Sequence, residues 1–386
     1  MLRLGLASLA LAVMPAPTSA QSVERAGFVV RLGADTLAIE RFSRSASRVE
    51  GDVAVQAPNG RLVHYVATLS PAATITKLEL RLRPAAPGPN AAKPAHGTME
   101  LRGDSAITVV TVGDSTRTVR VRVGPNAVPF AGLVHAMFEQ AVMQARRRGG
   151  DSVAFAWVGF GATEPSPSYV ARRSADTVAV GFFDSPMLLH TDRSGRLLGV
   201  DGRLTTQKVL VDRVADPGYE RFARELVRRE TEGHGMGPLS VRDTLRATVG
   251  PAHLTIDYGR PQRRGRDIFG TVVPWEQVWR TGANAATQFE TDGDLVVNGT
   301  TIPKGKYTLF SIPARNGAKL IVNRQTGQWG TQYDGTQDLA QLDMRADALP
   351  APVETFTIAV DAADAGGVLR LRWDRTEYSL PFTVAQ

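Results

Sequence analysis

Between residues 257 and 284 the chain concentrates side chains suited to holding a ligand. They are Asp257, Tyr258, Arg260, Arg266, Trp275, Trp279, Arg280, Thr281 and Asn284, joined further on by Trp329 and Tyr333. Each arginine offers a planar fork of donors that matches a carboxylate or a phosphate. The Trp and Tyr rings offer flat apolar faces, so the set as a whole suits a glycan, an aromatic compound or an anion. The run Thr281-Gly282-Ala283-Asn284 can turn backbone N–H groups toward an anion. Asp257, Glu276 and Asp338 are material for an acid–base pair, whose chemistry requires a separation of about 5–10 Å that spacing alone does not give. The same residues also suit a bracing role. Arg280 paired with Asp257 or Asp338 and stacked on a Trp would hold long loops in place, and Pro261, Gly265, Gly270 and Pro274 read as turn residues.

Other chemistries lack their signatures. There is no Gly-rich phosphate loop, no Gly-x-Ser-x-Gly elbow and no His-Glu-x-x-His. The histidines at 64, 96, 135, 190, 234 and 253 stand singly, without the close spacing that metal ligation favours. The absence of Cys excludes disulfides, cysteine-ligated zinc and a cysteine nucleophile. No metal or cofactor is expected. The formal charge is +7, with 39 Arg against 6 Lys. The arginines are interleaved with Asp and Glu, and the one tight basic run is Arg146-Arg147-Arg148. That pattern reads as an Arg-decorated surface, or one that touches anionic lipid, and not as a nucleic-acid footprint.

The elements that must position these residues are mainly strands. Residues 1–20 read as an export signal: Arg3, an apolar run from Leu4 to Met14 too short to span a membrane, then Thr18-Ser19-Ala20 for cleavage. No later stretch is long and apolar enough for a transmembrane segment, so a periplasmic or secreted location is expected. Residues 21–232 read as an antiparallel curved sheet carrying one or two helices (an α+β unit). Leu78, Leu80 and Leu82 alternate with Glu79, Arg81 and Arg83, as on a sheet with one wet face. A helix near 130–148 is predicted from Phe130, Leu133, Val134, Met137, Phe138 and Ala141, and a second over 217–231 from an Asp216 cap, Pro217 and the stripe Tyr219, Phe222, Ala223, Leu226 and Val227. Glu220 with Arg224, and Glu225 with Arg229, are spaced for ion pairs on its wet face. The Gly-rich stretch 233–238 reads as a linker, and residues 239–386 as an all-β sandwich or open barrel with an Asn298-Gly299 hairpin.

From about Leu239 to Val384 the chain resembles a bacterial exported family known as domain of unknown function 2911. The shared motifs are Asp257-Tyr258-x-Arg260-Pro261, Gly265-Arg266-x-Ile268-Phe269-Gly270, Val278-Trp279-Arg280-Thr281-Gly282-Ala283-Asn284, Pro303-x-Gly305-x-Tyr307, Trp329-Gly330 and the late-strand Trp373. Gly259 stands where the family has Ser, and Trp275 where it has Tyr. The first half is only loosely similar, in pattern alone, to β-rich carriers of the lipoprotein-sorting type. The leading expectation is a non-catalytic exported binding or accessory protein, its ligand an unknown small molecule, glycan or lipid. The alternatives are a hydrolase acting on glycans or esters, and a structural envelope protein contacting other envelope proteins.

Overall fold

The computed structural model describes residues 23–88, 91–182, 185–363 and 365–385; the expected export signal at 1–20 lies outside them. Among the described residues, fifteen strands form one sheet and nine form a second. Mainly β architecture is therefore observed in both halves, and the second sheet is open.

The first sheet begins with Glu24–Leu32 near its middle and meanders outward through successive neighbours to the edge strand Ser115–Arg122. The chain then appears at the opposite edge, Ala127–Phe130, and meanders back until Leu210–Val214 pairs with Glu24–Leu32. The last residue of one edge strand and the first of the other, Arg122 and Ala127, are five steps apart, a span of no more than about 19 Å. The sheet must therefore curl until its edges approach one another. All of its pairings are antiparallel except one: Ala127–Phe130 runs parallel to Ser152–Gly159.

The helix α1, His135–Arg148, lies inside this curl. Its residues Met137, Phe138, Ala141 and Val142 share one core with Phe28, Tyr65, Trp157 and Leu189, which come from both arms of the meander. The residues 130–134, expected to be helical, are not. Phe130 ends a strand, and its ring packs edge-on to Phe138 and Trp157, so tertiary contact outweighs the helical spacing. Gly149 ends α1 at φ 74°.

The second helix, α2, Tyr219–Thr231, packs on the outer face of the sheet through Ala223 and Leu226 against Ala54, Leu62 and Ala85. It starts two residues later than expected. Asp216 accepts from the Gly218 N–H in a local turn, and Gly218 takes the left-handed conformation at the helix start. The anticipated i,i+4 pairs are also replaced. Glu220 is held by Arg41 at 2.6 Å, while Arg228 bridges Glu225 and Glu232. A carboxylate beside a partner from another strand need not choose the one on its own helix.

Residues 234–238 carry no regular element. The second sheet follows, in the order 240–249, 252–261, 287–291, 305–314, 317–323, 338–363, 366–384, 295–297 and 300–302. Its hairpin at Asn298-Gly299 has both residues at positive φ, as the Asn-Gly pair suggests. Asp338–Ala363 and Gly366–Val384 form one long hairpin with two register shifts, between Ala348 and Thr357. The hairpin bends there, which lets Phe356, Ile358, Leu371, Trp373 and Tyr378 close over a core with Leu254, Ile256, Leu309 and Leu320. The 25 residues between strands 252–261 and 287–291 cross this core, and they carry most of the candidate ligand-binding residues.

Candidate functional site

The crossing segment is pinned by aromatic packing. Trp279 stacks on Trp373 with ring centroids 5.9 Å apart and meets Phe356 edge-on at 5.0 Å. Its backbone exchanges two hydrogen bonds with Ser311, at 2.7 and 2.8 Å. Trp275 stacks on Phe269, which in turn meets Tyr378 edge-on, and the Arg315 guanidinium lies over the Trp275 ring. Tyr258 is 2% exposed. Its hydroxyl accepts from the Ile358 N–H at 3.1 Å and donates to the Ile358 carbonyl, and burial pushes its pKa up. Tyr258 and Trp279 therefore pack with the core, while Trp275 is half-buried between Phe269 and Arg315.

Charged groups fall into two classes. Most of the arginines around the crossing segment have an acid of their own. Arg242 holds Asp257 at 2.9 Å and also donates to the carbonyls of Ala285 and Ala286. Arg260 pairs with Asp243 at 2.9 Å and donates to the Phe356 carbonyl and the Thr357 hydroxyl. Arg263 pairs with Asp374, and Arg264 with Asp35 of the first sheet. Asp338 accepts from Tyr333, Asn323 and Gln341. Burial and that neighbouring carboxylate push the Tyr333 phenol up to about 12, and its ring sits edge-on to Phe310 in a small cluster apart from the main core. The expected pairing of Arg280 with Asp257 or Asp338 is thus overturned, because both acids are already held.

Arg280 belongs to the second class. Among the described residues it has no ion pair, and its buried Nε has no hydrogen-bond partner. Burial pulls its pKa down with no acid to offset it. The strand-like turn that carries it is tightly built. Thr281 is buried with φ 49°, and its hydroxyl donates to Ser311. Asn284 is exposed at φ 64°, and its carbonyl accepts from the Gly330 N–H at 3.0 Å. Gly330 leaves the space that the Arg280 side chain fills: a Cβ there would lie 2.2 Å from the Arg280 Cδ. Gly259 serves the same turn. A Cβ at this position would meet the Ala283 carbonyl oxygen at 2.2 Å, so the departure from Ser fits a close approach of the two segments. Beside this turn Trp329 bridges to Ala285 through the backbone and leaves its side chain in water, 47% exposed.

Around the crossing segment lie an aromatic stack, several arginines paired with acids, and Arg280 without one, next to the loop that carries the exposed Trp329. Residues 240–382 match the family model described as protein of unknown function, DUF2911. No curated protein matches the chain. Among solved structures, a DUF1089 family protein from Pseudomonas aeruginosa shares 9% identity over 43% of this chain and 90% of its own, with a TM-score of 0.30. A botulinum neurotoxin type C shares 10% identity over 96% of this chain and 90% of its own, with a TM-score of 0.13. Scores this low carry no argument about fold or function.

Within the DUF2911 segment the structure brings Arg280, Thr281, Asn284 and Trp329 together. It places Tyr258, Trp275 and Trp279 in packing, and Asp257, Arg260 and Tyr333 in braces. Arg266 donates to the Gln262 and Arg263 carbonyls at 2.5 and 2.9 Å and packs against Gly33 of the first sheet, where an added Cβ would lie 2.8 Å from its Cγ. Sequence reasoning missed Arg242 and Lys208. Lys208 lies in the loop before the strand Leu210–Val214 of the first sheet, and its ammonium donates to the Arg203 carbonyl at 2.8 Å. Burial, then Arg280, then Arg266 bring its pKa down to about 8. Also missed was a cleft of about 690 Å³ between α2 and the first sheet. There His64 contacts Asp52 at 3.0 Å, and Arg41 links Asp52 to Glu220, so these charges are already matched. No helix among the described residues is long and apolar enough to cross a membrane.

Proposed function

We propose that the protein is an exported, non-catalytic binding protein built from two domains, residues 21–232 and 239–386, whose ligand seats on the Arg280–Asn284 turn under Trp329. The observation that carries this reading is the unpaired Arg280. Its Nε is buried without an acceptor and no acid is in contact with the guanidinium, and a buried polar group left unpaired is unfavourable, so a partner that supplies an acceptor would relieve it. The carboxylates that a hydrolase would use weigh the other way. Asp257 and Asp338 are engaged by Arg242 and by Tyr333 with Asn323, which leaves Glu276 of the three candidate acids.

A thermal-shift screen over glycans, aromatic acids and acyl lipids tests the proposal. A ligand at a hundredfold over its dissociation constant stabilises the fold by about 2.7 kcal/mol. Arg280→Ala and Trp329→Ala are expected to abolish the shift. A ligand whose shift survives both substitutions seats elsewhere, and the proposal then fails.

A further inference from the structure

The cleft between α2 and the outer face of the first sheet encloses about 690 Å³, within the range of about 300–1,000 Å³ typical of small-molecule sites. Its floor is two rows of cross-strand neighbours. Arg25, Ser43 and Glu50 form one row, and Gly27, Arg41, Asp52 and His64 form the next. Paired residues of an antiparallel sheet point to the same face. The roof is the start of α2, brought down where Gly27 makes room for Pro217: a Cβ on Gly27 would lie 2.5 Å from the Pro217 Cγ. Arg221 and Arg224 line the cleft from this roof.

Four arginines and four acids line the cleft, so it is not simply basic. Their contacts are unevenly shared. Arg41 holds both Asp52 and Glu220, at 3.0 and 2.6 Å. Glu50 meets His64 and also Arg48, which lies outside the cleft. Asp216 accepts from the Gly218 N–H. Among the described residues, Arg25, Arg221 and Arg224 have no acid within ion-pair distance and no acceptor for the guanidinium.

We propose that this cleft binds a phosphate ester with a hydroxylated body. The phosphate lies between Arg25 on the floor and Arg221 and Arg224 on the roof, and the hydroxyls turn toward Glu50, Asp52 and His64. The site is separate from the Arg280 turn, and neither reading rests on the other.

Three arguments carry it. First, a lone arginine on an open surface is solvated and needs no partner, but these three come from two facing walls of one cleft, where like charges repel and an anion between them relieves the repulsion. Second, the oxygens of a phosphate are tetrahedral and meet guanidinium groups from several directions, whereas those of a carboxylate lie in one plane. Third, the volume far exceeds a phosphate alone, and the far end offers carboxylate oxygens and an imidazole. Those groups accept from hydroxyls and would repel a second anion, so the ligand carries its charge at one end.

The test is calorimetric titration of the full chain, at low salt, with glycerophosphate, inorganic phosphate and glycerol. Glycerophosphate should bind saturably, and inorganic phosphate at least about threefold more weakly for want of the hydroxyl contacts. Glycerol as tight as glycerophosphate would refute the phosphate end, and inorganic phosphate as tight would refute the hydroxyl end. Arg25→Met, Arg221→Met and Arg224→Met should each weaken glycerophosphate by about tenfold, the loss of one charge-assisted contact. Arg117→Met, which removes an exposed arginine from the edge strand Ser115–Arg122, should leave it unchanged. Circular dichroism checks that each variant is folded. Wild-type affinity in Arg25→Met, or in both helix variants, refutes the site. Sedimentation with phosphatidylglycerol vesicles, against phosphatidylcholine, separates two sources of this chemistry. Vesicle binding that the arginine variants lose assigns a lipid headgroup, and glycerophosphate binding without vesicle binding assigns a soluble ester. If the chain binds neither, the proposal fails.

Discussion

Glu40 offers a stringent test of how the first sheet holds its helix. Its carboxylate is fully buried. One oxygen accepts from the Tyr65 hydroxyl at 2.6 Å and from the Ala136 N–H at 3.3 Å, and the other accepts from the His135 N–H at 2.6 Å. It thus caps the start of α1, which has no side-chain cap of its own and no acid in its first turn. Replacing Glu40 by Ala strands two strong donors, at roughly 1–3 kcal/mol each. It also removes an anion from a buried helix N-terminus, worth up to about 2 kcal/mol. Against this stands the relief of no longer burying a carboxylate. The balance is a destabilisation of about 3–5 kcal/mol. The assay is urea denaturation combined with hydrogen exchange at the α1 amides, because the first sheet can lose its helix before the second sheet unfolds. Glu40→Gln keeps one acceptor but brings an NH₂ into a cluster of donors, so it should fall between Ala and wild type. A Glu40→Ala protein within about 0.5 kcal/mol of wild type, with protected amides at His135 and Ala136, would refute the capping argument.

Other expectations concern the second sheet and the seam. Trp279→Ala should destabilise by about 3–5 kcal/mol, since Trp279 stacks on Trp373 and packs edge-on to Phe356; Trp329→Ala should stay within about 0.5 kcal/mol, being about half exposed. Guanidinium denaturation of both variants checks the contrast, and equal losses would overturn the division into core and surface rings. Gly330→Ala should displace Arg280, because its Cβ would lie 2.2 Å from the Arg280 Cδ and 2.6 Å from the Asn284 carbonyl oxygen. A cost of about 1–3 kcal/mol is expected in thermal melts, together with loss of ligand-dependent shifts. Lys208 loses its proton near pH 8 in the folded chain, mainly through burial, and at its ordinary 10.5 when unfolded. The charged form is the disfavoured one when folded, so stability should rise as pH climbs from about 8 to 10.5. Lys208→Met should be more stable than wild type below pH 8, with the gap closing above it. Melting curves between pH 6 and 10 measure this, and a gap that widens with pH would contradict the sign.

The elements legible in the sequence are those whose signal is local. Asn298-Gly299 reads as a hairpin because few residues other than Asn and Gly take two successive positive φ angles, and the structure has both. The alternation of Leu369, Leu371 and Trp373 reads as a strand because one face is buried, and these three are. The residues that misled are those claimed by distant partners. Phe130 follows the helical stripe but serves Trp157. Glu220 is spaced for Arg224 but meets Arg41. Tyr258 and Trp279 carry polar atoms that suggest recognition, yet lie in the core, which no periodicity reveals inside an irregular crossing segment. Lys208 gives a single faint hint. It is one of six lysines in a chain that otherwise uses arginine, and its neighbours at the seam are some sixty residues or more away in sequence.

That contrast explains why pairing is more informative here than residue type. With 45 basic and 38 acidic residues, the chain has nearly enough acids for its cations, and the structure spends them systematically: Arg213 and Arg44 hold the buried Glu139, Arg242 holds Asp257, Arg260 holds Asp243. An arginine beside an acid is common in this protein and says little about ligands; one without an acid is not unusual either, Arg61 being part-buried with the Ala57 and Asn59 carbonyls as its partners. The departure of Arg280 is that it has neither an acid in contact nor a partner for its buried Nε. The departure falls on a turn whose backbone is held in left-handed conformations at Thr281 and Asn284, where strain of order 1–3 kcal/mol per residue is retained only if the surroundings enforce it. The binding proposal rests on that conjunction of an enforced turn and an arginine without a counter-charge, and Arg280→Ala decides it.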